Sequence, residues 1–249
     1  MPSSASGSFD PVVVVGGLSF WPRAYAGFAS LLEDLSGSPV RIAPVTPLDW
    51  ILGAVRGYGQ LVFAVAETVD RLLLETGQKR AVLVGHSAGG LLCRAYIGGD
   101  PPFGGRRYSG HRRVSYSISL GTPHLSARDH ALPPTRTIND LFPGALHAAS
   151  GLRYLSVASA SEDGRSSARV RRRYERFVAD GRVPGDGVVP VEAALLPGSE
   201  HLILQSPRHD RRMGRWYGTD REAVEEWWPR ELYRDARAVD ASLVEGPGA

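Results

Sequence analysis

The sequence predicts an α/β protein, a mainly parallel sheet of about six strands covered by helices on both faces. Three observations carry this. Strand-like and helix-like patterns alternate along the chain. The first strand candidate, Val12-Val13-Val14-Val15, is apolar at every position rather than at every second one, which fits a strand buried on both faces. The pentapeptide Gly85-His86-Ser87-Ala88-Gly89 stands between an apolar strand and a helical run, where a sharp turn lifts a serine clear of the sheet edge.

The elements follow in order. Val12 to Val15 ends in Gly16-Gly17 and reads as a central strand. Pro22 to Leu35 reads as a helix, with Tyr25, Phe28, Leu31, Leu32 and Leu35 spaced for one face. Pro39 to Val45 is the second strand. Tyr58 to Thr76 is a long helix with Leu61, Val62, Val65, Val69, Leu72 and Leu73 on its buried side, stopped by Gly77. Lys79 to Val84 is the third strand and Ala88 to Gly98 the helix after the turn. A Gly/Pro/Arg loop runs from Gly98 to His111. Val114 to Leu120, Arg153 to Ser159 and His201 to Leu204 supply the remaining strands. Thr219 to Val239 reads as a closing amphipathic helix with Val224, Trp227, Trp228, Leu232 and Tyr233. The expected organisation is a flexible start over 1–10, one domain over 11–240 and a flexible tail over 241–249. Leu125 to Gly151 is rich in proline with one short apolar stretch, so any lid is small or absent.

Composition narrows the function classes. The chain has 249 residues, of which 43% are hydrophobic, enough for one buried core. No apolar run approaches the roughly 18–20 residues of a membrane span. The start lacks a signal pattern, which points to a cytoplasmic protein, or to a secreted one whose leader has been removed. Cys93 is the only cysteine, so no internal disulfide forms, and its apolar neighbours mark it as a buried filler. The net charge is only +3, and Lys79 is the only lysine. Arginines cluster at Arg106 to Arg113, Arg169 to Arg176 and Arg208 to Arg215 with acids among them. No basic stripe with interleaved aromatics appears, so nucleic acid is not expected as a partner. Peripheral contact with a lipid surface, or an acidic substrate, stays open. Metal-ligand spacings, P-loops and dinucleotide fingerprints are absent, so no metal and no cofactor are expected.

A serine hydroxyl needs a base, an acid to orient that base, and donors for an oxyanion. After a turn of this kind the acid and the histidine follow in that order. Asp186, in Gly185-Asp186-Gly187-Val188-Val189-Pro190, is the preferred acid, because flanking glycines allow a tight turn that aims the carboxylate inward. Asp163, just past the fifth strand, is its rival. His209 is preferred as base over His201, which opens an apolar run and reads as a strand-edge residue. Asp210 reads as a surface charge. The backbone N–H of Ala88, at a helix N-terminus, is one oxyanion donor. That of Leu18, after Gly16-Gly17, is the other. His86 is expected to pack under the turn and His124 to support the site. His111, His130 and His147 read as surface or loop residues.

These motifs resemble the α/β-hydrolase superfamily, in particular its lipase-like serine esterases. The resemblance rests on Val12 to Gly17, Gly85-His86-Ser87-Ala88-Gly89-Gly90, Leu120-Gly121-Thr122-Pro123-His124 and the Asp186 stretch, with Trp216-Tyr217-Gly218 supporting His209. It covers about residues 11 to 235. Two departures stand out. Many lipases carry His-Gly where this chain has Gly16-Gly17. The first strands of larger members are missing, as in compact lipases.

The resemblance implies carboxylic-ester hydrolysis by Ser87, His209 and Asp186 through an acyl-enzyme. A thioesterase or acyltransferase with the same triad, and a non-catalytic receptor on the same fold, are the alternatives. Loop position makes Phe20, Trp21, Leu125, Leu141 and Phe142 the candidate lining of a pocket for a small-molecule or lipid ester.

Overall fold

The computed structural model describes residues 10–126 and 133–234. Six strands form the sheet: β1 (Val12–Val15), β2 (Val40–Ile42), β3 (Ala81–His86), β4 (Val114–Leu120), β5 (Arg153–Ser159) and, last in the chain, β8 (Glu200–Leu204). Their order is β2-β1-β3-β4-β5-β8 and every pairing is parallel. A two-residue antiparallel ribbon pairs β6 (Glu162–Asp163) with β7 (Pro184–Gly185).

The apolar run of β1 is fully buried because the sheet is covered twice. Successive side chains of a strand point to opposite faces. Val13 and Val15 pack with α3 (Gly59–Thr76) and α4 (Gly89–Gly98). Val12 and Val14 pack on the other face with Phe28 and Leu32 of α1 (Ala26–Ser36), and with Trp216, Trp227 and Trp228. Cys93 lies buried in the α4 layer, where burial pushes its thiol up to about 12, as suits a filler.

Several elements differ from the sequence reading. The second strand is shorter, at Val40–Ile42. A helix that reading did not anticipate, α2 (Pro47–Arg56), follows it. Thr46 and Asp49 close a reciprocal capping box at its start, with Pro47 in the first turn. The loop before β4 ends in a short turn, α5 (Gly110–Arg113). Residues 125–151 hold α6 (Pro133–Leu141), which drops Ile138, and Phe142 one turn on, into the core. Between the ribbon strands runs α7 (Ala168–Tyr174), and α8 (Val191–Ala194) precedes β8.

The expected closing helix is broken. Its regular part is α9 (Arg221–Glu225), capped by Asp220, followed by a single 3-10 turn at Arg230–Leu232. Pro229 has no N–H to donate and disfavours helix at the residue before it. Trp227 and Trp228 are buried all the same. The continuation to Val239, the tail 241–249, residues 1–9 and His130 lie outside the described residues.

Parallel strands put all their carboxyl ends at one edge. The chain runs outward from β1 to β2, then returns to β3 on the other side of β1. In an open α/β sheet such a reversal leaves a crevice between the loops that follow the two central strands. Here those loops are Gly16 to Trp21 and the Ser87 turn.

Candidate active site

β3 ends at His86, and α4 begins at Gly89. Ser87 lies between them with φ of 53°, in the left-handed region, one of two such non-glycine residues among those described. A side-chain-bearing residue held there costs about 1–3 kcal/mol. Close backbone contact enforces the turn. A Cβ on Gly85 would come 2.5 Å from the Gly90 Cα, and one on Gly89 would collide with the Val15 carbonyl oxygen. Strand and helix backbones touch, so the small residues flanking Ser87 are a steric requirement.

Ser87, His209 and Asp186 meet at this edge. The Ser87 hydroxyl and His209 Nε2 are 2.9 Å apart, and His209 Nδ1 lies 2.7 Å from Asp186 Oδ2. Asp186 is 1% exposed and His209 6%. Asp186 Oδ1 accepts from the backbone N–H groups of Val188 (3.0 Å) and Val189 (2.8 Å). Oδ2 also accepts from the Tyr217 hydroxyl at 3.2 Å. Both carboxyl oxygens accept, so His209 Nδ1 carries a proton and Nε2 is free to accept from Ser87. The His209 backbone N–H donates to the Asp186 carbonyl at 2.9 Å, tying the two loops together. The turn at Asp186 depends on Gly187, whose φ is +93°. The rivals stand elsewhere. Asp163 caps its own ribbon, accepting from the Arg165 N–H. His201 donates from Nε2 to the Leu196 carbonyl and is exposed.

Beneath the serine a second chain of hydrogen bonds links the two loops. His86 Nε2–H donates to the His209 carbonyl at 2.8 Å. Its Nδ1 therefore accepts from the Tyr25 hydroxyl, also at 2.8 Å. The Tyr25 oxygen accepts in turn from the Gly17 N–H at 3.0 Å. His86 packs under the turn as expected, but it also joins the Gly16-Gly17 loop to the His209 backbone. That chain needs a neutral imidazole, and burial, with neighbouring His209 acting the same way, lowers His86 to about 4.

His124 is buried too, bonded through Nε2 to Ser119 and accepting at Nδ1 from Arg94. Burial, with Arg94 adding to it, holds its imidazole well below the ordinary value. This sets a pH dependence of stability. In the unfolded chain both imidazoles take a proton near pH 6.5, whereas the folded chain keeps them neutral. Below that pH the unfolded state binds more protons, so acidification favours unfolding. Each imidazole removes about 1.4 kcal/mol per pH unit until it protonates in the folded state as well. Urea midpoints are therefore expected to be level above neutrality and to fall as pH drops from 6.5 toward about 4. Midpoints that stay level across that window contradict the neutral pair.

The two loops expected to supply oxyanion donors flank Ser87. Gly17, Leu18, Ser19 and Phe20 line one narrow cleft with Ser87, His209 and Asp210. A Cβ on Gly17 would lie 2.8 Å from the Ser87 Cβ, so only glycine lets this loop approach so closely. Ala88 immediately precedes α4, where first-turn N–H groups lack intrahelical acceptors.

Of the expected pocket residues, Phe20 lines this cleft. Trp21 and Leu125 lie on the surface, 46% and 40% exposed, and are not among the cleft's lining residues. Phe142 is a correction: it is 1% exposed, against Gly98 and Phe103 in the core under α4. Leu141 faces a separate groove with Gly53 and Phe103. The helical register of α6, which buries Ile138, carries Phe142 inward four residues later. Asp210 is a second correction. It is 7% exposed, and Arg212 binds it at 3.0 Å. Burial works to raise its carboxyl, but hydrogen bonds from the Arg212 side chain and backbone outweigh this and lower it. The sequence reading placed Tyr25 on an apolar helix face and used Tyr217 only as part of the Trp216-Tyr217-Gly218 motif, because a tyrosine's place in the sequence carries no sign of where its hydroxyl ends.

Part of each arginine cluster is occupied by ion pairs. Arg113 pairs with Asp70, Arg171 with Glu175, Arg208 with Glu162 and Arg215 with Glu226. Among the described residues no group of three His, Cys, Asp or Glu side chains is placed to hold a metal, and no helix is long and apolar enough to cross a membrane.

No protein-family model matches the chain, and no curated protein matches it in sequence. Solved structures do match in shape. A lipase of Bacillus licheniformis, BlEst2 in its mature form, aligns at 17% identity over 82% of this chain and 86% of the lipase, with a TM-score of 0.58. Phospholipase PlaB from Legionella pneumophila, solved with thio-NAD, aligns at 13% identity over 95% of this chain, with a TM-score of 0.60. This chain spans 62% of that phospholipase. At such identities the likeness is one of fold.

Proposed function

We propose that this chain, which has the α/β-hydrolase fold, is a serine hydrolase of carboxylic esters. The observation that carries the reading is the unbroken series Ser87 hydroxyl, His209 imidazole, Asp186 carboxyl, at 2.9 and 2.7 Å, on a serine whose backbone is held at φ 53°.

In this reading Ser87 Oγ attacks the ester carbonyl carbon while His209 Nε2 takes the hydroxyl proton. The carbonyl oxygen becomes an anion, held by the N–H groups of Leu18 and Ala88. Collapse breaks the bond to the alkoxide, which leaves with the proton from His209. Water then gives a proton to His209 Nε2 and attacks the acyl carbon. The second collapse releases the carboxylic acid and returns the proton to Ser87. Asp186 holds the imidazole in the tautomer that both halves need. The chain from Gly17 through Tyr25 and His86 keeps the oxyanion loop and the base in register.

A fluorophosphonate probe tests this directly. The folded protein is expected to take up one phosphonyl group, mapped to Ser87 by mass spectrometry, and to lose ester turnover in step. A folded protein that resists the probe is a non-catalytic binder and ends the proposal.

A further inference from the structure

We propose that α2 is the element through which this protein lies on an anionic lipid surface, with the ester cleft facing that surface; the inference rests on the hydrolase reading above. The helix is built on a buried side. Trp50 is 2% exposed and packs on Tyr58, and Gly53 abuts the same tyrosine. A helix docked in this way normally turns polar residues to water. This one does not. Leu48, Ile51, Leu52 and Val55 are 57%, 63%, 48% and 84% exposed. Their spacing of three, four and seven residues puts them on one stripe, opposite Trp50 and Gly53. Asp49, the helix's single acid, is spent on the Thr46 cap.

The stripe is not an isolated patch. β2 runs parallel to β1 and β3, and α2 starts five residues after β2 ends. It therefore leaves the same sheet edge as the Leu18 loop and the Ser87 turn. Nine large apolar side chains are exposed among the described residues, and seven follow strand carboxyl ends at this edge. They are the four of α2 with Leu18, Trp21 and Leu125. The other two are Leu74, at the far end of α3, and Ile203 on the edge strand. Exposed apolar side chains concentrated on segments that leave one sheet edge mark an interaction surface.

Charge selects the occupant. Arg23, Arg56 and Arg106 are exposed and have no carboxylate within ion-pair distance among the described residues. Arg23 follows Trp21, and Arg56 ends α2. Arg106 lies over the Phe63 ring, in a loop whose Gly104 packs on Gly59 at the α2–α3 junction. Apolar side chains, a tryptophan and arginines without a carboxylate partner, on segments that leave or adjoin one sheet edge, suit an anionic bilayer. A second copy docked face to face would bring the same arginines together.

The test is co-sedimentation with mixed phosphatidylcholine–phosphatidylglycerol vesicles and with phosphatidylcholine vesicles alone. Ser87→Ala protein is used, so that no lipid is consumed. The parent is expected to bind the mixed vesicles more tightly. Ile51→Glu with Val55→Glu is expected to lower partition by about tenfold or more, while Leu74→Glu leaves it unchanged. In the Ser87 background both variants should turn over a soluble short-chain ester like the parent. No vesicle binding, or equal loss in Leu74→Glu, overturns the docking role. A dimer that the α2 variant converts to monomer assigns the face to a second copy and also overturns it. Failure of the protein with Ser87 intact to cleave the soluble ester sinks the hydrolase reading separately, whatever the vesicles show.

Discussion

Ser87→Ala is expected to lower turnover of a p-nitrophenyl ester by about 10⁴-fold or more, because among the described residues Ser87 is the hydroxyl hydrogen-bonded to His209 Nε2 at the end of the His209–Asp186 pair. What remains is catalysis by the oxyanion donors and binding alone. The structure adds a second expectation at the same residue. Ser87 is held at φ 53°, where a Cβ is strained. Alanine keeps the Cβ and the strain. Glycine removes both, so Ser87→Gly should be as inactive as Ser87→Ala but more stable by about 1 kcal/mol. Turnover assays and urea unfolding of the pair check both halves. An alanine variant with near-parental activity removes Ser87 from the chemistry. A glycine variant no more stable than alanine removes the strain.

Asp186→Asn is expected to cost about 10³–10⁴-fold in kcat with KM little changed. The size of the effect follows from where the carboxylate is anchored. Oδ1 accepts two backbone N–H groups, from Val188 and Val189. In asparagine the amide oxygen keeps those two bonds, which forces the NH₂ group into the place of Oδ2. That group faces His209 Nδ1 and the Tyr217 hydroxyl. It donates, so the imidazole shifts its proton to Nε2, opposite Ser87, and can no longer act as base. The fold should hold, because the amide finds acceptors in both neighbours. Denaturant midpoints and kinetics measured together separate this from unfolding. A variant with half the parental kcat would mean that Asp186 does not set the tautomer.

Much of this site was legible in the sequence. The apolar run of β1 and the small residues around Ser87 are local requirements of a doubly covered strand and a touching strand–helix turn. The same holds for Asp186, whose turn depends on Gly187. α2 was not legible, since a helix apolar on both its buried and its exposed side shows no single periodic face. The closing helix was overread, because its apolar spacing continues past Pro229 while its hydrogen bonds do not. Phe142 was misplaced because loop position does not say which way a side chain turns.

The sequence by itself determined the alternation of strands and helices, the strained serine turn, and the chemical types of its partners. Those follow from steric and hydrogen-bonding rules that act over a few neighbouring residues. The sequence preferred His209 over His201 from loop position, and tertiary structure brings His209 to Ser87. Tertiary structure alone decided that Tyr25 and His86 join two distant loops and that seven exposed apolar side chains follow strand ends at one edge. Those contacts join residues up to 123 positions apart. Only the order and direction of the strands bring such residues together, and no local rule encodes that.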